Sequence, residues 1–74
     1  MNHLEERDEP VVYQIRVRGV IDAGMAGWFD GLTICPQVDG TTLLTGPVRD
    51  QSALRGLLAK IRDRGLPLLS VKRL

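Results

Sequence analysis

The segment DQSALRGLLAKIRDRG, residues 50 to 65, carries a helix with its own start and stop signals. The stretches on either side of it alternate with period two, so the chain must pair strands with helix in an α+β arrangement. Leu54, Leu57, Leu58 and Ile61 fall at i, i+3, i+4 and i+7 and form one apolar face. Asp50 is a good N-cap, and the helix is expected to run to about Arg64. Lys60, Arg62 and Arg64 suit the negative end of the helix dipole. Gly65 is placed to take the left-handed cap conformation, and Pro67 prevents continuation.

Four strands are expected around this helix. Val11 to Arg18 (VVYQIRVR) alternates: Val11, Tyr13, Ile15 and Val17 point one way, Val12, Gln14, Arg16 and Arg18 the other. Leu32 to Cys35 is a short strand followed by Pro36, which fits a sheet edge. Asp39-Gly40 is a strong hairpin signal, and it leads to a return strand over Thr41 to Thr45 that Gly46-Pro47 closes. Leu68 to Arg73 is the last strand, with Leu69 and Val71 on one face and Ser70 and Lys72 on the other.

Between the first two strands a short helix is expected from Ala23, capped by Asp22. Met25, Trp28, Phe29 and Leu32 make an apolar stripe along it. Gly24 and Gly27 each weaken it by about 1 kcal/mol relative to alanine, and Gly31 stops it. Trp28 and Phe29 are two of the three aromatics in the chain and read as packing anchors that hold this glycine-weakened turn against the sheet.

The resulting order, β-α-β-β-α-β, is the ferredoxin-like arrangement. It predicts a four-stranded antiparallel sheet in spatial order 4-1-3-2, with two helices on one face and the other face bare. Residues 1 to 10 read as a disordered acidic tail, and residues 11 to 74 as a single domain.

A chain of 74 residues has a thin core and commonly adds a disulfide, a metal or a second subunit. Cys35 is the only cysteine, and with His3 it makes no metal-ligand pattern, so no metal and no cofactor are expected. Self-association is the remaining supplement. Of ten basic and nine acidic residues, one basic and four acidic lie in the tail; the domain keeps nine basic and five acidic groups. That is less basic than a dedicated nucleic-acid binder. No apolar run reaches membrane-spanning length, and MNHLEERDEP lacks the apolar region of a secretory signal. A cytoplasmic setting is expected, consistent with one free cysteine.

The runs YQIRVRGVIDAGMAGWFDGLTI and DGTTLLTGPVRDQSALRGLLAKIRDRGLPLLSVKRL resemble a family of short bacterial proteins without an assigned activity. WFDGL and DQSALRGLL carry most of that likeness. The resemblance implies a small stand-alone domain and supplies no catalytic residue. The segment VRGVIDAGMAG is also similar to the loop and helix start of ACT domains. There an aspartate and a glycine precede the first helix at a ligand-binding interface, and Asp22 and Gly24 are the matching positions. The spacing is one residue short, the usual proline is missing and the helix is truncated. A plain N-cap followed by a tolerated glycine explains the same residues.

Enzymatic constellations are not assembled by this inventory. A lone cysteine is commonly a small buried hydrophobe, and Cys35 has no histidine in the domain to activate it. Asp22 and Asp50 read as caps, Asp39 as a turn residue, Asp63 as helix surface and Asp30 as a turn or cap beside Gly31. The leading expectation is a non-enzymatic module that self-associates, a dimer above all, or binds another protein. Its interface would draw on the open sheet face, Gln14, Arg16, Arg18, Leu43, Ser70 and Lys72, and on the free edge of the last strand. The alternative is an ACT-like ligand sensor at a dimer interface through Asp22, Gly24 and Trp28. A third reading is an RNA or anion binder through Arg16 and Arg18, against which stands the lack of an aromatic stacking platform.

Overall fold

The structure, a computed structural model, describes residues 10–22, 24, 27, 29 and 31–74. Its elements are β1 (Val11–Arg18), β2 (Thr33–Pro36), β3 (Thr41–Val48), α1 (Gln51–Asp63) and β4 (Leu68–Arg73). The acidic tail lies outside the described residues, apart from the exposed Pro10.

The four strands form one sheet in the order β2-β3-β1-β4, which read from the other edge is β4-β1-β3-β2. All three ladders are antiparallel. Among the described residues there is one α-helix. The helix expected from Ala23 falls largely outside them; Gly24, Gly27 and Phe29 within that segment have 3-10 geometry. Two α-helices over one face are therefore corrected to one among the described residues.

α1 forms as its sequence directs. The Asp50 backbone is extended, and its carboxylate accepts the Ala53 N–H at 2.8 Å. At the other end Gly65 has φ +74°. The Gly65 N–H donates to the Arg62 carbonyl and the Leu66 N–H to the Ile61 carbonyl. That pair of bonds is the Schellman motif, and Leu66 closes it by packing on the core.

The hairpin between β2 and β3 has a four-residue connection, Gln37 to Gly40. The Gly40 N–H donates to the Gln37 carbonyl, the Gln37 N–H donates to the Thr41 carbonyl, and Gly40 has φ +87°. A turn closed by a left-handed glycine is what Asp-Gly supplies there.

β3 runs three residues further than the Gly46-Pro47 pair suggests. The reason lies in the ladder. Odd-numbered residues of β3 turn their amides to β2, as the Gln37–Thr41 bond shows. β2 has no residue paired beyond Thr33–Thr45, so the missing N–H of Pro47 faces no strand. Gly46 is required for a different reason. A Cβ there would lie 2.7 Å from Leu32 Cδ2 and 3.4 Å from Leu32 Cα, so glycine lets the Leu32 segment close over the sheet.

The core holds Ile15 and Val17 of β1, Leu44 and Val48 of β3, Leu57 and Ile61 of α1, and Ile21, Phe29 and Leu32 of the β1–β2 connection. Each such side chain contributes on the order of 2 kcal/mol by leaving water. Phe29 is fully buried, as a packing anchor should be; Trp28 and Met25 lie outside the described residues. Tyr13 packs against this cluster on the same face.

Thr41 and Thr42 are the buried polar residues among those described, and Thr42 is the deeper. It is fully buried, its hydroxyl donates to the Gly19 carbonyl at 2.6 Å, and it accepts the Ile21 N–H at 3.3 Å. This one side chain fixes the exit from β1. Gly19 turns there with φ +109°, and its N–H donates to the Gly40 carbonyl.

β4 departs from simple alternation. Tyr13 to Arg16 pair with Arg73 to Ser70, and then Val17 pairs with Leu68, so Leu69 is an extra residue in a β-bulge. The expected partnership of Leu69 with Val71 on one face is interrupted by that bulge.

Candidate functional site

The open face of the sheet is built from rows of facing residues. One row reads Cys35, Leu43, Arg16, Ser70 across the four strands, and the next reads Thr33, Thr45, Gln14, Lys72. Arg18 stands opposite Thr41. The expected open-face residues Gln14, Arg16, Arg18, Leu43, Ser70 and Lys72 are thus brought together. Leu43 is half-buried among them, whereas its neighbour Leu44 is fully buried in the core.

Two residues on this face differ from expectation. Cys35 is exposed and not a buried hydrophobe, because its neighbour Ile34 takes the core side. Asp39 is more than a turn residue. Its carboxylate accepts the Thr41 hydroxyl at 2.6 Å and the Thr41 N–H at 3.0 Å, and it lies 3.7 Å from the Arg16 guanidinium. Arg16 also donates to the Thr41 hydroxyl at 2.9 Å. The Thr41 hydroxyl bond, then the Thr41 backbone N–H, with a smaller contribution from Arg16, holds the Asp39 carboxyl below its ordinary value of 3.8. Arg16 is therefore engaged within the chain, and no aromatic stands on this face among the described residues.

The edge at β4 is different in character. Leu68 is 46%, Val71 39% and Leu74 61% exposed, and Leu69 is exposed too. The Leu74 N–H donates to the Val12 carbonyl, so Ser70, Lys72 and Leu74 turn their amides to β1; past the bulge the parity reverses, and there Pro67 gives its carbonyl to the Arg18 N–H. Val71 and Arg73 turn theirs to the free edge. Beside this strand an open groove of about 700 Å³ runs along α1, lined by Leu58, Ile61, Leu66, Leu68, Arg55 and Arg62.

Asp22 is exposed and accepts the Gly24 N–H at 3.2 Å, a local turn bond of the kind a helix cap makes. It also lines a hollow of about 260 Å³ with Phe29, Arg64, Val20, Ile21 and Leu66. Arg64 was not singled out in the sequence, where it reads only as a helix-end cation. Trp28, the third residue of the expected ligand site, lies outside the described residues.

No group of three or more His, Cys, Asp or Glu side chains that could hold a metal ion occurs among the described residues. No helix among them is long and apolar enough to cross a membrane.

These features define a small α+β domain with an open antiparallel sheet, a polar sheet face and an apolar strand edge. The chain belongs to the family designated domain of unknown function DUF8691, which matches residues 12–72. Neither the curated proteins nor the solved structures contain a match to it.

Proposed function

We propose that this chain is a ferredoxin-like, non-enzymatic cytoplasmic module that works by self-association, as a homodimer. The strand order and the three antiparallel ladders are those a β-α-β-β-α-β chain requires, which supports the fold assignment. The observation that carries the self-association reading is the β4 edge. Four apolar side chains, Leu68, Leu69, Val71 and Leu74, are exposed on one strand and its end, and Val71 and Arg73 direct amides outward from it. A second chain satisfies both the apolar surface and the backbone groups. The open face is polar, with Gln14, Arg16, Arg18, Ser70 and Lys72 around Leu43, and it borders the contact without forming its centre. Light scattering during gel filtration at micromolar concentration tests the reading. A particle of twice the 8.2 kDa chain mass is expected; a monomer would remove it.

A second reading rests on the hollow at Asp22. A carboxylate and a guanidinium, Asp22 and Arg64, line one apolar-walled recess with Phe29. Such a recess suits a small ligand, in keeping with the ACT-like resemblance. Thermal-shift screening of amino acids and small acids tests it. Stabilisation that disappears in Asp22→Ala supports a ligand site, and no stabilisation by any of them removes it.

A further inference from the structure

We infer that the dimer is a continuous eight-stranded sheet in which β4 pairs antiparallel with β4 of a second copy, with Val71 on the two-fold axis. This rests on the self-association reading and fixes its geometry.

The free edge allows few registers. Only outward-facing residues can exchange ladder hydrogen bonds across the seam, and Val71 and Arg73 are of that kind. Over the regular part of the strand, Ser70 to Leu74, a two-fold centred on a residue keeps like parity opposite, and one centred between residues sets outward amides against inward ones. A centre at Lys72 or at Arg73 puts that basic side chain directly opposite its own copy, which is unfavourable. A centre at Ser70 sets Arg73 opposite Pro67 of the other copy. Pro67 has no N–H, and its carbonyl already accepts the Arg18 N–H at 2.9 Å. A centre at Val71 avoids all of these. Val71 then meets its own copy, Ser70 meets Lys72, and Leu69 meets Arg73.

That register also covers the apolar surface. Val71 lies on the core side of the sheet, opposite Ile15, at the margin that α1 leaves open. Pairing β4 with its copy places the two Val71 side chains in contact. It also brings the groove lined by Leu58, Leu66 and Leu68 alongside the same groove of the second copy. Both helices then lie on one face of the joined sheet.

The register can be read by cross-linking in a Cys35→Ser background, which removes the exposed native thiol. Val71→Cys should form a disulfide-linked dimer on mild oxidation, since facing residues of a hydrogen-bonded pair stand about 5.5 Å apart at Cα. Arg73→Cys, whose facing residue is Leu69, should not. A charge test leaves Val71 intact. Ser70→Glu places a carboxylate opposite Lys72 of the other copy twice per dimer and should tighten association roughly threefold to tenfold, and Ser70→Lys should weaken it by a similar factor. A dimer by light scattering that links through Arg73→Cys and not Val71→Cys, or that ignores both charges at Ser70, overturns the register and leaves self-association standing. A Cys35→Ser protein that is monomeric overturns the self-association reading itself.

Discussion

Val71 faces Ile15 directly in the β1–β4 ladder, yet Ile15 is fully buried and Val71 is 39% exposed. The two side chains share one face of one sheet, one strand apart. What separates them is cover: the buried residues of α1, Leu57 and Ile61, join the core with β1 and β3, and no residue of β4 is buried. A valine on the core side of a strand without cover marks a face that another chain can complete. In a protein of 74 residues, that completion is a sizeable addition to the core.

The buried Thr42 hydroxyl should be worth more than its size suggests. Replacing it with valine keeps the shape but strands the Gly19 carbonyl and the Ile21 N–H. Thr42→Val is expected to cost about 1–3 kcal/mol in urea unfolding. Thr45→Val, half-buried on the open face, should cost much less. Equal losses at both positions would show that the Thr42 bonds contribute little.

The two ends of α1 make separate predictions. Asp50→Ala removes the acceptor for the Ala53 N–H and should destabilise by about 1 kcal/mol. Gly65→Ala forces a Cβ into φ +74° and should cost about 1–2 kcal/mol although nothing crowds the site. Circular dichroism melts of the two single variants and the double variant would check this. The caps lie at opposite ends of the helix, so the losses should add.

Asp39 should give the stability a shallow acid limb. Its carboxyl is held below 3.8 by the Thr41 bonds and Arg16, so the charged form is favoured in the folded state. A depressed carboxyl contributes stability that is present above the unfolded value and lost as pH falls through the folded one. Asp39→Asn should therefore be slightly less stable than the parent at pH 7, with the difference shrinking below pH 3.8. A difference that grows on acidification would contradict the geometry at this turn.

Much of this fold was legible because its signals are local. Asp50, Gly65 and Pro67 bracket α1, Asp39-Gly40 marks the hairpin, and β1 alternates over its whole length. The features that escaped are set at a distance. Gly46-Pro47 reads as a strand end, and only the early end of β2 explains why β3 continues through it. The bulge at Leu69 is invisible in LLSVKR, because alternation alone places no extra residue. The Arg16–Asp39–Thr41 cluster joins residues more than twenty positions apart. The exposure of Cys35 could have been read from the strand itself: with Ile34 turned to the core, its neighbour must turn away. At the candidate ligand site, Asp22 and Gly24 come from the ACT-like resemblance, whereas Arg64 enters through the fold.

The most direct measurement is the molar mass in solution of the parent chain and of Val71→Lys, each by light scattering over a concentration series. The account predicts a two-chain particle for the parent that dissociates at least tenfold more readily in the variant, with the folded circular dichroism spectrum retained. A parent that stays monomeric across the series, or a variant that dimerises as tightly as the parent, would contradict it.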